Sequence, residues 1–388
     1  MIREIVPVSV KPRTPARPEW LRWWRAPLWT LALLSGAKSF IDNPVMGSRR
    51  LNRAGLHVWR LRTAQAMAWS RRRRLARLIG PEQRRQFDRD GFIVIRDFLP
   101  ADAFAAIRSA ALQPGPECRD HQQGDTVTSR IAVGPAVRRR VPPLAALLDS
   151  PRWKGLIAYV ASTRSAPLYY LQAIAGGVAE GPPDPQLELH SDTFHPSLKA
   201  WLFLTDVPED GRPLTYVAGS HRLSPQRIAW EKRKSVEIKD AGDRLSQRGS
   251  LRAQTNELAA LGLPQPTRFA VPANTLVLVD TCGFHARAAS DRPTMRIELW
   301  AYCRRSPFLP WTGLDLMSWP PIAMRREEWL NAIRDWLDRK GWAKQHWRRA
   351  IWHPEPPLVI APVSPEAARE PEPCEISTDS GTEAFTSA

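Results

Sequence analysis

The period of the apolar positions changes twice along the chain. Between residues 51 and 79, Leu56, Trp59, Met67 and Leu75 stand among Arg60, Arg62 and the run Arg71-Arg72-Arg73-Arg74, which predicts a basic helix. From Phe87 onward the rhythm shortens. A turn at Asp90-Gly91 feeds the β-branched run Ile93-Val94-Ile95, and a helix is predicted after Pro100. Further strands are predicted at Leu168 to Ala173, Leu187 to Asp192, Leu198 to Thr205, Thr275 to Asp280 and Thr294 to Tyr302. Helical spacing returns near the carboxyl end, where Trp329, Ile333, Trp336 and Leu337 fall at i, i+4, i+7 and i+8. That stripe predicts a helix packing its apolar face on the domain or on the amino-terminal region, with membrane contact as the lesser alternative.

Short strands separated by Gly and Pro turns argue for a mainly β fold with flanking helices, a sandwich or jelly roll rather than alternating β and α units. No glycine-rich phosphate loop is present, which sets the usual nucleotide folds aside. The chain of 388 residues divides into a basic helical extension (1–86), a β domain (87–310), a Trp-rich helical region (311–353) and an acidic Pro-rich tail (354–388) expected to be disordered.

Charge sharpens this division. The formal net charge is +17, yet residues 1–86 hold 19 Lys and Arg against 4 Asp and Glu, while the tail holds one basic and seven acidic residues. The arm also carries Trp20, Trp23, Trp24 and Trp29, and its uncharged run ends at Lys38, short of the roughly 20 residues a bilayer span needs. Basic helices with Trp and Leu suit an anionic membrane surface, so the arm is expected either to lie on such a surface or to pack on the β domain. On the first reading, residues 1–80 are removable and the rest still folds. Nucleic acid is not favoured: charge is the only argument for it, and there is no helix-turn-helix, zinc-finger or RNP-type signature. No convincing secretory signal precedes the arm, so a cytoplasmic location is expected, peripheral on the inner membrane surface if the arm binds lipid. Cys118, Cys282, Cys303 and Cys374 share no C-x-x-C spacing, which supports neither a disulfide framework nor a thiolate zinc site.

The chemistry is concentrated in Leu187-Glu-Leu-His190-Ser-Asp192. Residues two apart on a strand project from one face, so His190 and Asp192 are brought together. Two histidines and one carboxylate are the ligand set of non-haem iron(II) oxygenases, which leave positions open for cosubstrate and O₂. His285, just after the apolar strand Thr275 to Asp280, is the candidate third ligand. Eleven residues on, Arg296 offers a guanidinium able to clasp a carboxylate bidentately. Glu298, two residues beyond on the same strand face, supports the plain alternative of a structural Arg–Glu pair. His195 is expected to be a loop histidine, His221 to belong to a turn, and Cys282 to be a buried free thiol.

Residues 87 to about 308 resemble the phytanoyl-CoA dioxygenase superfamily, which includes ectoine hydroxylase, in four ordered places. These are Phe87-x-x-x-Gly91-Phe92-x-Val94 with Asp97-Phe98-Leu99; His190-x-Asp192 continuing through Ala200-Trp201 to Gly219-Ser220-His221; His285; and Arg296. The resemblance implies a double-stranded β-helix of cupin-like form, with Fe(II) held by His190, Asp192 and His285. It further implies that Arg296 binds the distal carboxylate of 2-oxoglutarate and that Gln172 and Trp201 lie near it. The activity implied is a dioxygenase using O₂ and 2-oxoglutarate to hydroxylate an aliphatic C–H of a lipid or small metabolite. The alternative is a non-catalytic binding or scaffold protein that keeps the β-fold and docks through its arm. Arg287, two after His285, departs from the small hydroxyl residue often found there, and Ala218 replaces a proline. Arg119, Arg130 and Arg138-Arg139-Arg140 are candidates for meeting an anionic substrate; the oligomeric state is not legible.

Overall fold

The computed structural model describes residues 25–354 apart from Ala241; Trp20, Trp23, Trp24 and, but for Pro354, the acidic tail lie outside the described residues. Eleven strands form two antiparallel sheets. The strands are β1 (Phe92–Ile95), β2 (Glu117–Gln123), β3 (Thr126–Ala132), β4 (Leu168–Gly176), β5 (Leu198–Phe203), β6 (Leu214–Tyr216), β7 (Thr267–Arg268), β8 (Leu276–Asp280), β9 (His285–Arg287), β10 (Thr294–Cys303) and β11 (Arg348–Ile351). The large sheet runs β1-β8-β5-β10-β4-β3-β2-β11 and the small one β7-β6-β9. With helices on the outside, this is the mainly β jelly roll expected from the strand pattern.

Strand alternation explains how the layers hold together. In β5, Leu198, Ala200 and Leu202 face outward into a core shared with Leu144, Leu148, Trp153 and Ile157 of two covering helices. The intervening Trp201 and Phe203 turn inward against Leu214 and Tyr216 of the small sheet. In β10 the same parity sends Arg296, Glu298, Trp300 and Tyr302 inward, and in β4 Tyr170 and Gln172. Glu298 is the register partner of Gln172, and Tyr302 that of Lys199. Polar residues in these strands therefore meet one another inside the fold.

The expected strands are present within a few residues, with one exception. Leu187 to Asp192 is not a continuous strand: Pro185–Leu187 makes a 3₁₀ turn, and only His190 bridges, to His285 and to Arg252. Pro183 and Pro185 interrupt the approach, and proline cannot supply the ladder donor.

The basic helix is found at Leu56–Leu75 and is integral to the domain. Arg71 donates through Nε to the Ser162 carbonyl (2.8 Å) and through one amino group to the carbonyls of Pro307 (3.0 Å) and Leu309 (2.6 Å). Arg72 donates to the Val160 carbonyl (2.7 Å) and to Asp280 Oδ2 (2.7 Å), with both partners buried. The two arginines thus satisfy the Val160 and Ser162 carbonyls at the end of helix Pro151–Ala161, beyond those reached by the Ser162 and Thr163 amides, where the helix dipole favours a cation. Arg60 holds the carbonyls of Leu33 (2.9 Å), Ser35 (3.1 Å) and Ala37 (2.7 Å), fixing the segment before it. Of the two expectations for the arm, packing on the β domain is the one these residues follow, and a chain lacking residues 1–80 would lose buried partners.

The carboxyl-terminal helix Arg326–Arg339 departs from its expected orientation. Trp329, Ile333 and Trp336 face solvent, whereas Arg326 is buried and Asp335 pairs with Arg119. Among the described residues no helix is long and apolar enough to cross a membrane.

Candidate metal centre

His190, Asp192 and His285 converge, and they are the one such group among the described residues. Backbone pairing brings them together: His190 and His285 exchange both N–H···O bonds (3.0 and 2.9 Å), and the Asp192 amide donates to the Thr281 carbonyl at 2.9 Å. The turn ahead of His285 requires Gly283, because a Cβ there would run into the Tyr216 hydroxyl. Each imidazole is oriented through Nδ1, which donates to a carbonyl, Glu188 for His190 (2.7 Å) and Gly283 for His285 (3.0 Å). That leaves both Nε2 atoms as acceptors aimed at the same space, each 3.6 Å from Asp192 Oδ1.

The electrostatics suit ligation. Burial, the neighbouring His285 and Arg252 hold the His190 imidazole well below its usual range and so neutral. Burial opposes ionisation of Asp192, but neighbouring interactions led by the Lys199 charge outweigh it and keep the carboxyl well below the usual carboxylate range. The two Nε2 atoms are buried with no hydrogen-bond partner, a costly state in a protein interior unless something binds them. Two imidazoles and a carboxylate, with carbonyls fixing the rings, are a donor set that fits iron(II).

Two lysines close the centre. Lys199 Nζ forms an ion pair with Asp192 Oδ2 at 2.9 Å, off the hydrogen-bonding direction of that oxygen, and Lys38 Nζ donates to the Asp192 carbonyl at 2.7 Å. Burial first, and then Arg304, lower Lys38 to about 7. Neither lysine emerges from the sequence reading. A charge inside the apolar run Leu198 to Leu204 was a signal for Lys199; Lys38 gave none, since it arrives from an extension 154 residues upstream of Asp192.

Arg296 is inside the jelly roll and already partnered. Its Nε donates to Glu298 Oε2 at 3.0 Å and one amino group donates to the Arg212 carbonyl at 2.5 Å. Glu298 is fully buried, and its other oxygen accepts from Gln172 at 2.6 Å. Gln172 in turn accepts from Arg130 Nε at 2.6 Å, and that guanidinium lies 4.3 Å from the Trp300 ring centroid and 4.5 Å from that of Trp347. Gln172 is thus one link of a chain from Arg296 to Arg130. Trp201 faces the same interior beside Trp300, its register partner.

The other named residues have structural partners. His195 is buried, its Nδ1 donating to the Pro196 carbonyl and its Nε2 accepting from Arg304 Nε at 3.2 Å. The ring of His221 lies against Phe87, 5.5 Å between centroids. Cys282 is a buried free thiol. Arg287 pairs with Asp184 at 2.5 Å, Arg119 with Asp335 and Arg138 with Asp149.

A jelly roll carrying a buried two-histidine, one-carboxylate centre has the ligand arrangement used by non-haem iron(II) oxygenases. Residues 87–252 match the family model of phytanoyl-CoA dioxygenase. His285 and Arg296 lie beyond the matched segment, on β9 and β10. A search of curated proteins gives no match. Solved structures similar to this chain include the α-ketoglutarate-dependent epimerase SnoN from nogalamycin biosynthesis, at 20% identity over 62% of this chain and 92% of that one with a TM-score of 0.38. HygX from Streptomyces hygroscopicus with nickel and 2-oxoglutarate bound is 18% identical over 58% of this chain and 86% of that one, TM-score 0.37. EctD from S. alaskensis in its apo form is 18% identical over 58% and 78%, TM-score 0.34.

Proposed function

We propose that this oxygenase hydroxylates an aliphatic C–H bond of a lipid or small metabolite. The observation that carries the reading is the pair of buried, unpartnered Nε2 atoms facing Asp192 Oδ1. Iron, when bound there with 2-oxoglutarate, supplies the capacity to use O₂ against an unactivated C–H bond. His190, Asp192 and His285 would hold the metal, and the carbonyls of Glu188 and Gly283, accepting from Nδ1, fix the rings so that each Nε2 is aimed at that site. Lys199 pairs with Asp192 Oδ2, which leaves Oδ1 as the oxygen turned towards the two imidazoles and the one that would serve as ligand. Tyr170, Trp201, Trp300 and Tyr302 wall the interior, which suits an apolar portion of a substrate.

Arg296 would bind the distal carboxylate of 2-oxoglutarate by exchanging Glu298 for it. A specific observation favours the competing, non-catalytic reading, in which Arg296 and Glu298 are a permanent structural pair: both are buried, 3.0 Å apart. Anaerobic titration with Fe(II) and then 2-oxoglutarate, following the charge-transfer absorption of a chelated cosubstrate, separates the two. The oxygenase reading expects the band in wild type, its loss in Asp192→Ala, and about tenfold tighter 2-oxoglutarate binding in Glu298→Gln, which removes the internal competitor. Absence of the band in wild type, with Glu298→Gln only less stable, sinks the reading in favour of the structural pair.

A further inference from the structure

The carboxyl-terminal helix Arg326–Arg339 is amphipathic the wrong way round for a helix that belongs only to this fold. Its polar side is turned inward: Arg326 is buried, Glu327 accepts from the Tyr170 hydroxyl, and Asp335 receives both amino groups of Arg119 at 2.8 and 2.6 Å. Its apolar side is turned outward, with Trp329, Ile333 and Trp336 exposed by 48%, 53% and 43%. Trp342, also exposed, packs edge-on against Trp336 at 5.2 Å. The segment leading into the helix adds Leu314 and Leu316, 89% and 84% exposed, and Trp319. Monomeric soluble proteins seldom leave such residues grouped in water, and the specific ion pairs on the inner face mean that the helix is not simply misdirected.

The surroundings of this face decide what covers it. Arg325, Arg339, Lys340 and Lys344 are exposed around the apolar residues, against the exposed carboxylates Glu328 and Asp338. Tryptophans with a basic border match the headgroup zone of an anionic bilayer, where the indole sits at the interface and the cations reach the lipid phosphates. A second copy of the chain fits less well, because a two-fold contact through this face would set the same basic border against itself. We infer that the carboxyl-terminal helix and the segment before it are a docking surface for an anionic lipid bilayer, and that the peripheral contact expected from the amino-terminal arm belongs chiefly here. The inference stands independently of the metal centre. The same region adjoins the jelly-roll interior: Trp347 stacks on Arg130, which reaches in to Gln172.

The test uses the full-length protein, sedimented with vesicles of phosphatidylglycerol and phosphatidylcholine, and with phosphatidylcholine alone. Wild type should bind the anionic vesicles and be released by high salt in part. Replacing Trp329, Ile333 and Trp336 together by Ser should weaken binding at least about tenfold at every salt concentration, since it removes apolar anchoring. Replacing Arg339, Lys340 and Lys344 by Gln should weaken it by a similar or larger factor at low salt, and little at high salt, because charges are screened. A Trp20→Ser/Trp23→Ser/Trp24→Ser variant should bind nearly as wild type. The inference is overturned if wild type ignores anionic vesicles, which includes the case of the acidic tail covering the face. It is equally overturned if the folded Trp329/Ile333/Trp336 variant binds as wild type, if the Trp20/Trp23/Trp24 variant alone loses binding, or if light scattering shows a wild-type dimer that the Ser variant dissolves. Should the Ser variant fail to fold, the Gln variant carries the same test.

Discussion

The two appendages of the β domain are alike in composition and opposite in structure. Both are helical, basic and rich in tryptophan. The amino-terminal helix Leu56–Leu75 buries arginines, with Arg60, Arg71 and Arg72 all reaching protein acceptors, whereas the carboxyl-terminal helix Arg326–Arg339 exposes its tryptophans. The difference lies in what each meets. Helix Pro151–Ala161 ends with carbonyls that need donors, and Asp280 is a buried carboxylate that needs a cation, so a planar five-donor guanidinium is the side chain that satisfies both. The carboxyl-terminal helix meets a polar edge instead, with Arg119 and Tyr170 offering donors to Asp335 and Glu327. Its acids turn in and its indoles are left outside. Basic, Trp-rich composition therefore says that a helix is adhesive, and only the partner surface says which side adheres.

The largest expected effect is in the amino-terminal helix. Arg72→Met removes the cation from Asp280 while leaving its carboxylate enclosed, where Ser197 and Cys282 amides still reach Oδ1 but Oδ2 loses its partner. Breaking one side of a buried pair costs about 3–5 kcal/mol, so the variant should unfold at markedly lower urea, or fail to accumulate folded. A variant with wild-type stability would show that the arm is an attachment rather than part of the domain, and the contrast with the other appendage would collapse.

The strands of the β domain and the convergence of His190, Asp192 and His285 were legible because their signals are local. Alternation in Leu198 to Phe203 and Thr294 to Tyr302 follows from burial on two faces, and His190-x-Asp192 needs only a bridge to His285 to come together. What was not legible depends on distant partners. Lys38 enters the centre from the extension, and the outward turn of Trp329, Ile333 and Trp336 is set by Arg119, more than 200 residues earlier. A helical stripe identifies a face; it does not tell inside from outside. Glu298 is intermediate, since strand parity placed it beside Arg296, yet its second bond to Gln172 required the register of β4 against β10.

A middle-sized effect should appear with pH at the seam between the β domain and the carboxyl-terminal region. His121 stacks on Trp347, 4.9 Å between ring centroids, and burial first, then His346 and Arg130, lower it to about 4 from 6.5. Because the folded state holds this proton less well than the unfolded chain, the unfolded chain takes up more protons between pH 6.5 and 4. Stability is then highest above pH 6.5 and falls as the pH drops through that window, by up to about 3 kcal/mol from this one group. Other buried histidines, His190, His195 and His221, are shifted the same way, so the informative quantity is the difference between wild type and His121→Gln. Melting temperatures at pH 6.5 and 4.5 should fall less in the variant. Parallel curves would mean that His121 is solvated in solution and the seam is open.

The smallest expected effect is the one that most sharpens the comparison. Trp336→Ser removes a large apolar side chain, yet that side chain is 43% exposed and its ring contact is Trp342, itself mostly in water. A packed tryptophan of this size would cost about 3–5 kcal/mol on truncation, as Arg72→Met is expected to cost for its own reason. Here the loss should be limited to the Trp342 contact and the part of the ring shielded by the helix, and surface substitutions of this kind stay within about 0.5–1 kcal/mol. Urea unfolding of the isolated full-length variant should thus nearly superimpose on that of wild type. A loss as large as that of Arg72→Met would mean that Trp336 is covered in solution by residues of this chain beyond those described or by a second copy. Dilution would tell these apart, because stability arising from a second copy falls with protein concentration and stability arising from the same chain does not.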